Sequence, residues 1–292
     1  MASKKLKRWL KVAIQIVIAA FAIRYVVRTI DLDELKVTLL SANFGWLFLA
    51  FLAFNASKAL SALRLNYFFR ALGIQLKERF NLKLYYLGML YNQFLPGGIG
   101  GDGYKVYLLN KWYKTSVKSL ISATLLDRVS GVVALGFLAF ILGLIGHGQE
   151  AIAPFGWLLW VGLVVAYPSY YLLVHLLFKT FKSVNHITNL QALGVQSLQV
   201  ISAFLILKSL GVELGYIDYL TLFLVTSVAA TLPVSLPGGI GIRELVMVKG
   251  AVFLLIDQTS ATALATLFFL ISLVSALGGI AYLKLDRPEK AD

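Results

Sequence analysis

The sequence Leu-Pro-Gly-Gly-Ile-Gly occurs twice in this chain, at residues 95–100 and again at 236–241. Proline lacks a backbone N–H donor and glycine has low helix propensity, so each copy is predicted to interrupt the apolar segment that contains it. About half of the 292 residues separate the two copies. Interrupted segments at matching positions in two halves are typical of transporters built from repeats, which bind their substrate at the breaks.

The composition places most of the chain in lipid. Charged residues make up 14% and hydrophobic residues 59%, whereas a soluble domain has about 25% charged residues. The absence of cysteine excludes disulfides, thiol catalysis and Cys-ligated metal. The three histidines lack metal-ligand spacing, so neither a metal nor another cofactor is predicted. A net charge of +13 usually suggests nucleic acid or an anionic surface as a partner. Here the cations follow the apolar stretches of a membrane protein, so no nucleic-acid partner is predicted.

Apolar stretches long enough to cross a bilayer are predicted at residues 9–27, 44–63, 119–146, 154–178, 189–207 and 261–283. The alternative for the first stretch is a cleaved signal peptide, because Ala20-Phe21-Ala22 has the small-x-small pattern of a cleavage site. Arg24 follows that site and the apolar run continues beyond it, which favours a membrane span.

The distribution of Lys and Arg predicts the orientation of the chain. With a cytoplasmic N-terminus, most of the 27 Lys and Arg residues lie inside, and the outside segments hold only Lys36 and Lys208. This bias requires the segment around residues 95–100 to enter and leave on the cytoplasmic side. The second copy is then entered from outside. The alternative is eight simple spans with kinks.

The sequence therefore predicts an all-α polytopic membrane protein with about six full spans plus two re-entrant helical hairpins in an inverted repeat. It is predicted to form a single integral-membrane domain over residues 1–292. The first repeat covers about residues 1–146, the second about 154–283, and a short cytoplasmic tail follows at 284–292.

Charged residues near the interruptions indicate an anion site. A helix restarting after each hexamer would present free N–H groups and the positive end of its dipole to an anion. Asp102 and Arg243 occupy equivalent positions in the two halves, and they either pair with each other or face the site. Asp127 and Arg128 point about 100° apart on a helix, so they are not partners. Arg128 is expected to face the cavity or Asp102, or else to lie at a helix end near the cytoplasmic surface.

Three motifs carry a resemblance to a known family. They are residues 92–102 followed by Lys105, residues 127–131, and residues 233–244. Together they resemble the signatures of the lysylphosphatidylglycerol synthase transmembrane-region family, also called flippase-like domain proteins. The resemblance implies a multi-pass protein of a bacterial or archaeal cytoplasmic membrane, with both termini cytoplasmic, that moves phospholipids or polyprenyl-phosphate-type lipids between leaflets. Lipid-aminoacylating members carry a soluble synthase domain after this region. Few residues follow Leu283, so synthase activity is not expected here.

The predicted ligand is the phosphate of an anionic lipid head group, bound between the hairpin tips. Arg243, Lys105 and the hexamer backbones are expected to contact it, while Asp102 and Glu244 tune the charge or carry a coupling proton. The candidate substrate-binding residues are Asn92, Pro96, Gly97, Gly98, Gly100, Gly101, Asp102, Lys105, Arg128, Ser235, Pro237, Gly238, Gly239, Gly241, Arg243 and Glu244.

Two other functions remain open at this point. One is a membrane enzyme acting on lipid-linked aminoacyl or glycosyl groups, with Asp31 and Asp33 as acids at the outer face. A solvated helix start with acids in its first turn is the favoured interpretation of that pair, because membrane glycosyltransferases need larger outer loops than this chain has. The other is a scaffold for a separately encoded lipid-modifying enzyme. No catalytic motif is found, so an enzyme is not expected.

Overall fold

The computed structural model describes residues 32–94, 99–231 and 242–286, and within these ranges the chain is helical with no strand. The all-α prediction is confirmed for this part of the chain. The helices are α1 (Leu32–Leu40), α2 (Phe44–Ala71), α3 (Glu78–Phe94), α4 (Gly100–Tyr113), α5 (Val117–Ile145), α6 (Gly148–Ala151), α7 (Trp157–Leu177), α8 (Lys182–Ser209), α9 (Tyr216–Ala230), α10 (Ile242–Phe253) and α11 (Gln258–Leu277). Short 3₁₀ turns cover Lys179–Phe181 and Gly278–Tyr282.

Five of the described helices are long and apolar enough to cross a membrane. They correspond to the predicted spans after the first one, and they are α2, α5, α7, α8 with its preceding 3₁₀ turn, and α11 with its following 3₁₀ turn. The predicted span at residues 9–27, together with its signal-peptide alternative, lies outside the described residues, as does the tail from residue 287 onward. Membrane location is thus supported by length and composition.

Helix α2 is longer than its apolar stretch predicted. It begins at Phe44 and is capped by Asn43, whose side-chain oxygen accepts hydrogen bonds from the N–H groups of Gly45 and Trp46. It continues through Arg64 to Ala71 and stops before Gly73, whose φ of 78° suits glycine. Arg64 lies beyond the predicted apolar stretch and is a buried residue of this helix, 5% exposed.

Helices α2 and α8 pack against each other along their length. The Ser202 hydroxyl donates to the carbonyl of Ala50 at 2.8 Å, and the N–H of Asn43 donates to the carbonyl of Ser209 at 2.8 Å. Because low numbers in α2 meet high numbers in α8, the two helices are antiparallel. Ala, Ser and Gly residues at this interface let the backbones approach, which is how helices associate in lipid, where apolar burial alone gives little driving force.

Helices α3 and α4, called the first helix pair below, run antiparallel. Asn92 is hydrogen-bonded to Gly101 across the pair, the rings of Tyr91 and Tyr104 lie 4.6 Å apart, and Phe80 packs on Trp112 at the other end. The chain therefore reaches Phe94, just before the first hexamer, and returns from Gly100 toward the end where α3 began.

Helices α9 and α10, called the second helix pair, have the same antiparallel arrangement. Leu222 lies directly against Gly250, and the Tyr219 hydroxyl accepts a hydrogen bond from the N–H of Asp257 at 3.1 Å, just beyond the end of α10. The residues between them, including the second hexamer, lie outside the described part of the chain.

The two helix pairs open toward opposite ends of the bundle, meaning that the end at which the chain enters and leaves each pair is at opposite ends. The start of α9 meets the end of α5 through Asp218, which accepts hydrogen bonds from the backbone N–H and from the Nδ1 of His147, both at 2.8 Å. The side-chain hydrogen bond to Asp218 raises the pKa of this exposed histidine. At the other end of the bundle, Lys83 near the start of α3 lies 5.9 Å from the ring of Tyr282, beyond the end of α11.

Candidate functional site

A cavity lies where the end of α3 approaches the start of α10. Gln93, which comes just before the first hexamer, and Arg243, which follows the second, both line it. The cavity volume is about 150 Å³. The remaining walls come from α9, α10 and α11, through Phe223, Thr226, Ser227, Ala230, Met247, Ala265, Phe268, Phe269 and Ser272. Residues close to both hexamers thus face one partly open cavity.

Arg243 provides the positive charge of this cavity. Its guanidinium lies 4.8 Å from the centroid of the Phe269 ring, and its Nε donates to the Glu244 carboxylate at 3.1 Å. The Nη2 group bonds to the same carboxylate oxygen. This leaves the Nη1 donors without an acceptor among the described residues, and a planar guanidinium offers such donors to phosphate in a fixed geometry.

Asp102 joins two cations at the start of α4. Its carboxylate accepts a hydrogen bond from Lys105 Nζ at 3.1 Å and another from Arg128 Nε. Lys105 is only 4% exposed and lies 4.7 Å from the Tyr85 ring, so it is enclosed between helices α3 and α4. The expectation that Arg128 faces Asp102 is confirmed. Among the described residues the alternative pairing of Asp102 with Arg243 is not found, because each has a nearer partner in its own half.

Asp127 has a partner that the sequence did not suggest. Its carboxylate accepts a hydrogen bond from Arg64 Nε at 2.7 Å, and both side chains are nearly enclosed. Asp127 and Arg128 therefore turn to different partners, as their adjacency predicted. The alternative of a helix-end pair is wrong, since both lie well inside α5. The sequence analysis missed Arg64 because the predicted apolar stretch ends at residue 63. The small residues Ser57 and Ser61 lie on the same helical face as Arg64 and were the available signal that this face is buried.

Asn92 joins the two helices of the first pair. Its side-chain oxygen accepts a hydrogen bond from the N–H of Gly101 at 2.8 Å, so this N–H at the start of α4 is already used. Gly100 is the first residue of α4. The other predicted site residues lie outside the described part of the chain: Pro96, Gly97, Gly98, Ser235, Pro237, Gly238, Gly239 and Gly241.

The predicted site residues thus form two groups in the structure. Asp102, Lys105 and Arg128 meet in the first half, and Arg243 and Glu244 meet in the second. Only Arg243 among the five lines the cavity as far as the described residues define it. In the same ranges no group of three or more His, Asp or Glu side chains is placed to hold a metal ion.

Comparison with protein families identifies the family of the chain. A family model described as lysylphosphatidylglycerol synthase TM region matches residues 12–279, which include both hexamers and the Asp127–Arg128 motif. The chain belongs to this family. Membership of the lysylphosphatidylglycerol synthase transmembrane-region family confirms the resemblance and indicates a membrane function related to lipids. A search of curated proteins found no match.

Proposed function

We propose that this member of the family moves an anionic phospholipid or polyprenyl-phosphate-type lipid between the leaflets of the cytoplasmic membrane. The observation that carries the proposal is the position of Arg243, a cation lining a cavity that both helix pairs border. An intramembrane arginine is costly and marks a substrate path by default. A lipid phosphate is the anion that the family relationship makes relevant.

The two helix pairs are proposed to be re-entrant hairpins. Helices α3 and α4 have 17 and 14 residues, and α9 and α10 have 15 and 12. At 1.5 Å per residue these lengths are about 18 to 25 Å, short of a hydrocarbon core of about 30 Å. The antiparallel course of each pair and their opposite openings support an inverted repeat with the hexamers near the middle of the bilayer.

Glu244 gives the proposed site a way to release its ligand. A head-group phosphate entering the cavity would bond to the Nη1 donors of Arg243 while Glu244 retains the other edge of the guanidinium. The carboxylate also repels the phosphate, so the lipid is held without being trapped. Movement between leaflets would then follow from one repeat shifting against the other around this fixed cation.

The direct test is Arg243→Gln. A charge-assisted hydrogen bond contributes about 1.5–3 kcal/mol, so we expect translocation of fluorescent phosphatidylglycerol in proteoliposomes to fall by about tenfold or more. Arg70→Gln is the matched control, because Arg70 is also paired with a carboxylate, Glu78, but at the bundle surface with both side chains about 40% exposed. Equal rates for Arg243→Gln, Arg70→Gln and the wild type would remove Arg243 from the mechanism.

The proposed orientation is tested with single thiols, since the chain has no cysteine. Lys114 is exposed just after α4 and Glu150 is exposed in α6, at opposite ends of the bundle. In intact spheroplasts we expect a membrane-impermeant maleimide to label Glu150→Cys, and to label Lys114→Cys only after permeabilisation. Labelling of Lys114→Cys from outside, with Glu150→Cys labelled only after permeabilisation, would mean that the chain has the orientation opposite to the proposed one.

The enzyme alternative concerns the other end of the fold. Asp33 is exposed in α1, and Asp31 lies outside the described residues. Turnover of a lipid-linked aminoacyl or glycosyl group that is lost in Asp33→Asn and retained in Arg243→Gln would replace the transport proposal. If the purified wild type moves no lipid, the scaffold for a separate lipid-modifying enzyme becomes the better account.

A further inference from the structure

Lys58 lies at the middle of α2, at about equal distance from Phe44 and Ala71. Its Nζ is 4.4 Å from the centroid of the Phe54 ring, one turn earlier on the same helix. No carboxylate lies within ion-pair distance of it anywhere in the described part of the chain. The position within a membrane-spanning helix places this ammonium near the centre of the bilayer.

The other cations close to the site are paired. Arg64 has Asp127, Lys105 and Arg128 share Asp102, and Arg243 has Glu244. Each pair offsets part of the cost of burying its charges, which an unpaired cation bears in full. Lys58 differs because its described contact is an aromatic ring, which stabilises a cation less than a carboxylate does. An unpaired intramembrane cation of this kind indicates that its counter-ion arrives with the ligand.

A chain of rings connects Lys58 to the Arg243 cavity. The Phe54 ring that contacts Lys58 packs edge-on against Phe268 at 5.3 Å, and Phe268 packs against Phe223 at 4.6 Å. Both Phe268 and Phe223 line the cavity, and the next residue, Phe269, lies under the Arg243 guanidinium. Lys58 thus lies behind the aromatic wall of the cavity, against Phe54, the ring that packs on Phe268.

We propose that Lys58 is a second phosphate-binding cation of the lipid path, which holds the anionic head group beside the aromatic wall before or after it contacts Arg243. The proposal rests on the proposed transport function. Two cations at different depths would let the phosphate pass from one to the other without crossing an uncompensated apolar region. The carboxylates that pair the neighbouring cations are not available to Lys58, which keeps its ammonium for the ligand.

The test combines a rate with a stability measurement on Lys58→Gln. Truncating one partner of a buried charge pair lowers binding strongly, so we expect translocation of fluorescent phosphatidylglycerol to fall by about tenfold or more. Lys58→Arg keeps the charge and is expected to stay within a few-fold of the wild type. Because Lys58→Gln removes an unpaired charge from lipid, its thermal midpoint in detergent is expected to equal or exceed that of the wild type. A structural role for Lys58 would lower that midpoint.

Lys208→Gln is the matched control, since Lys208 also lies over a ring, 5.0 Å from the Tyr216 centroid, but is exposed at the end of α8. A wild-type rate for Lys58→Gln, or a slow rate together with a lowered midpoint, would overturn the inference while leaving the transport proposal standing. A wild-type protein that moves no anionic lipid would refute the transport proposal itself. Millimolar inorganic phosphate should leave the rate unchanged, and inhibition by it would identify free phosphate as the ligand of Lys58.

Discussion

Gly101→Ala is expected to separate the two helices of the first helix pair and to stop lipid translocation. A Cβ at this position would lie 2.7 Å from the Cα of Gly88 and would overlap the carbonyl oxygen of that residue. The obstacle is backbone, so no side-chain rotation can relieve it. Overpacking of this kind costs about 1–3 kcal/mol and occasionally more. The shift would also break the hydrogen bond between Asn92 and the Gly101 N–H.

Gly103→Ala is the control, two residues further along the same helix. A Cβ there meets nothing within 4 Å, and alanine in a helix interior is favoured over glycine by about 1 kcal/mol. We therefore expect thermal unfolding in detergent to occur at a lower temperature for Gly101→Ala and at an equal or higher one for Gly103→Ala. If both variants unfold with the wild type and move lipid at its rate, the helices are not held together by the contact at Gly101.

Asp127→Ala is expected to cause a large loss of stability. It leaves the Arg64 guanidinium buried without its carboxylate, and breaking a buried pair in this way costs about 3–5 kcal/mol. Arg64→Met in the same chain should restore most of the loss, because replacing both members of a buried pair by apolar groups is close to neutral. The measurement is a double-mutant cycle from denaturant unfolding in micelles.

The surface pair Arg70–Glu78 provides the comparison for this cycle. Both of its side chains are about 40% exposed, and exposed pairs contribute about 0–1 kcal/mol. Glu78→Gln should therefore change stability little. An Asp127→Ala variant that is no less stable than Glu78→Gln would show that Arg64 finds another partner or reaches water. In that case the buried pair would not be what holds α2 against α5.

The charges inside the bundle are arranged around the two helix pairs. Asp102 gathers Lys105 and Arg128 at the start of α4, and Glu244 pairs with Arg243 at the start of α10. An acid in the first turn of each helix also compensates the positive end of the helix dipole. Carboxylates from the same chain thus partly neutralise the cations of the predicted anion site.

The sequence by itself determined the helical class, the membrane location and the position of the described spans after the first. The length of an apolar stretch and the presence of Pro and Gly within it are local properties of the sequence. They can therefore be recognised without knowing which helices pack together. The adjacency of Asp127 and Arg128 also sufficed to show that they have different partners, because helix geometry alone turns them apart.

Only the tertiary structure decided which charges meet. Arg64 pairs with Asp127, which is 63 positions away in the sequence. Asp102 pairs with Arg128 in its own half and not with Arg243, which occupies the position equivalent to Asp102 in the other half. Lys58 could be recognised as a special residue only once its neighbours were seen to have carboxylates and it was seen to have a ring. The physical reason is that the cost of a charge in lipid depends on what lies within a few ångströms of it, and that distance is set by the packing of distant helices rather than by local sequence.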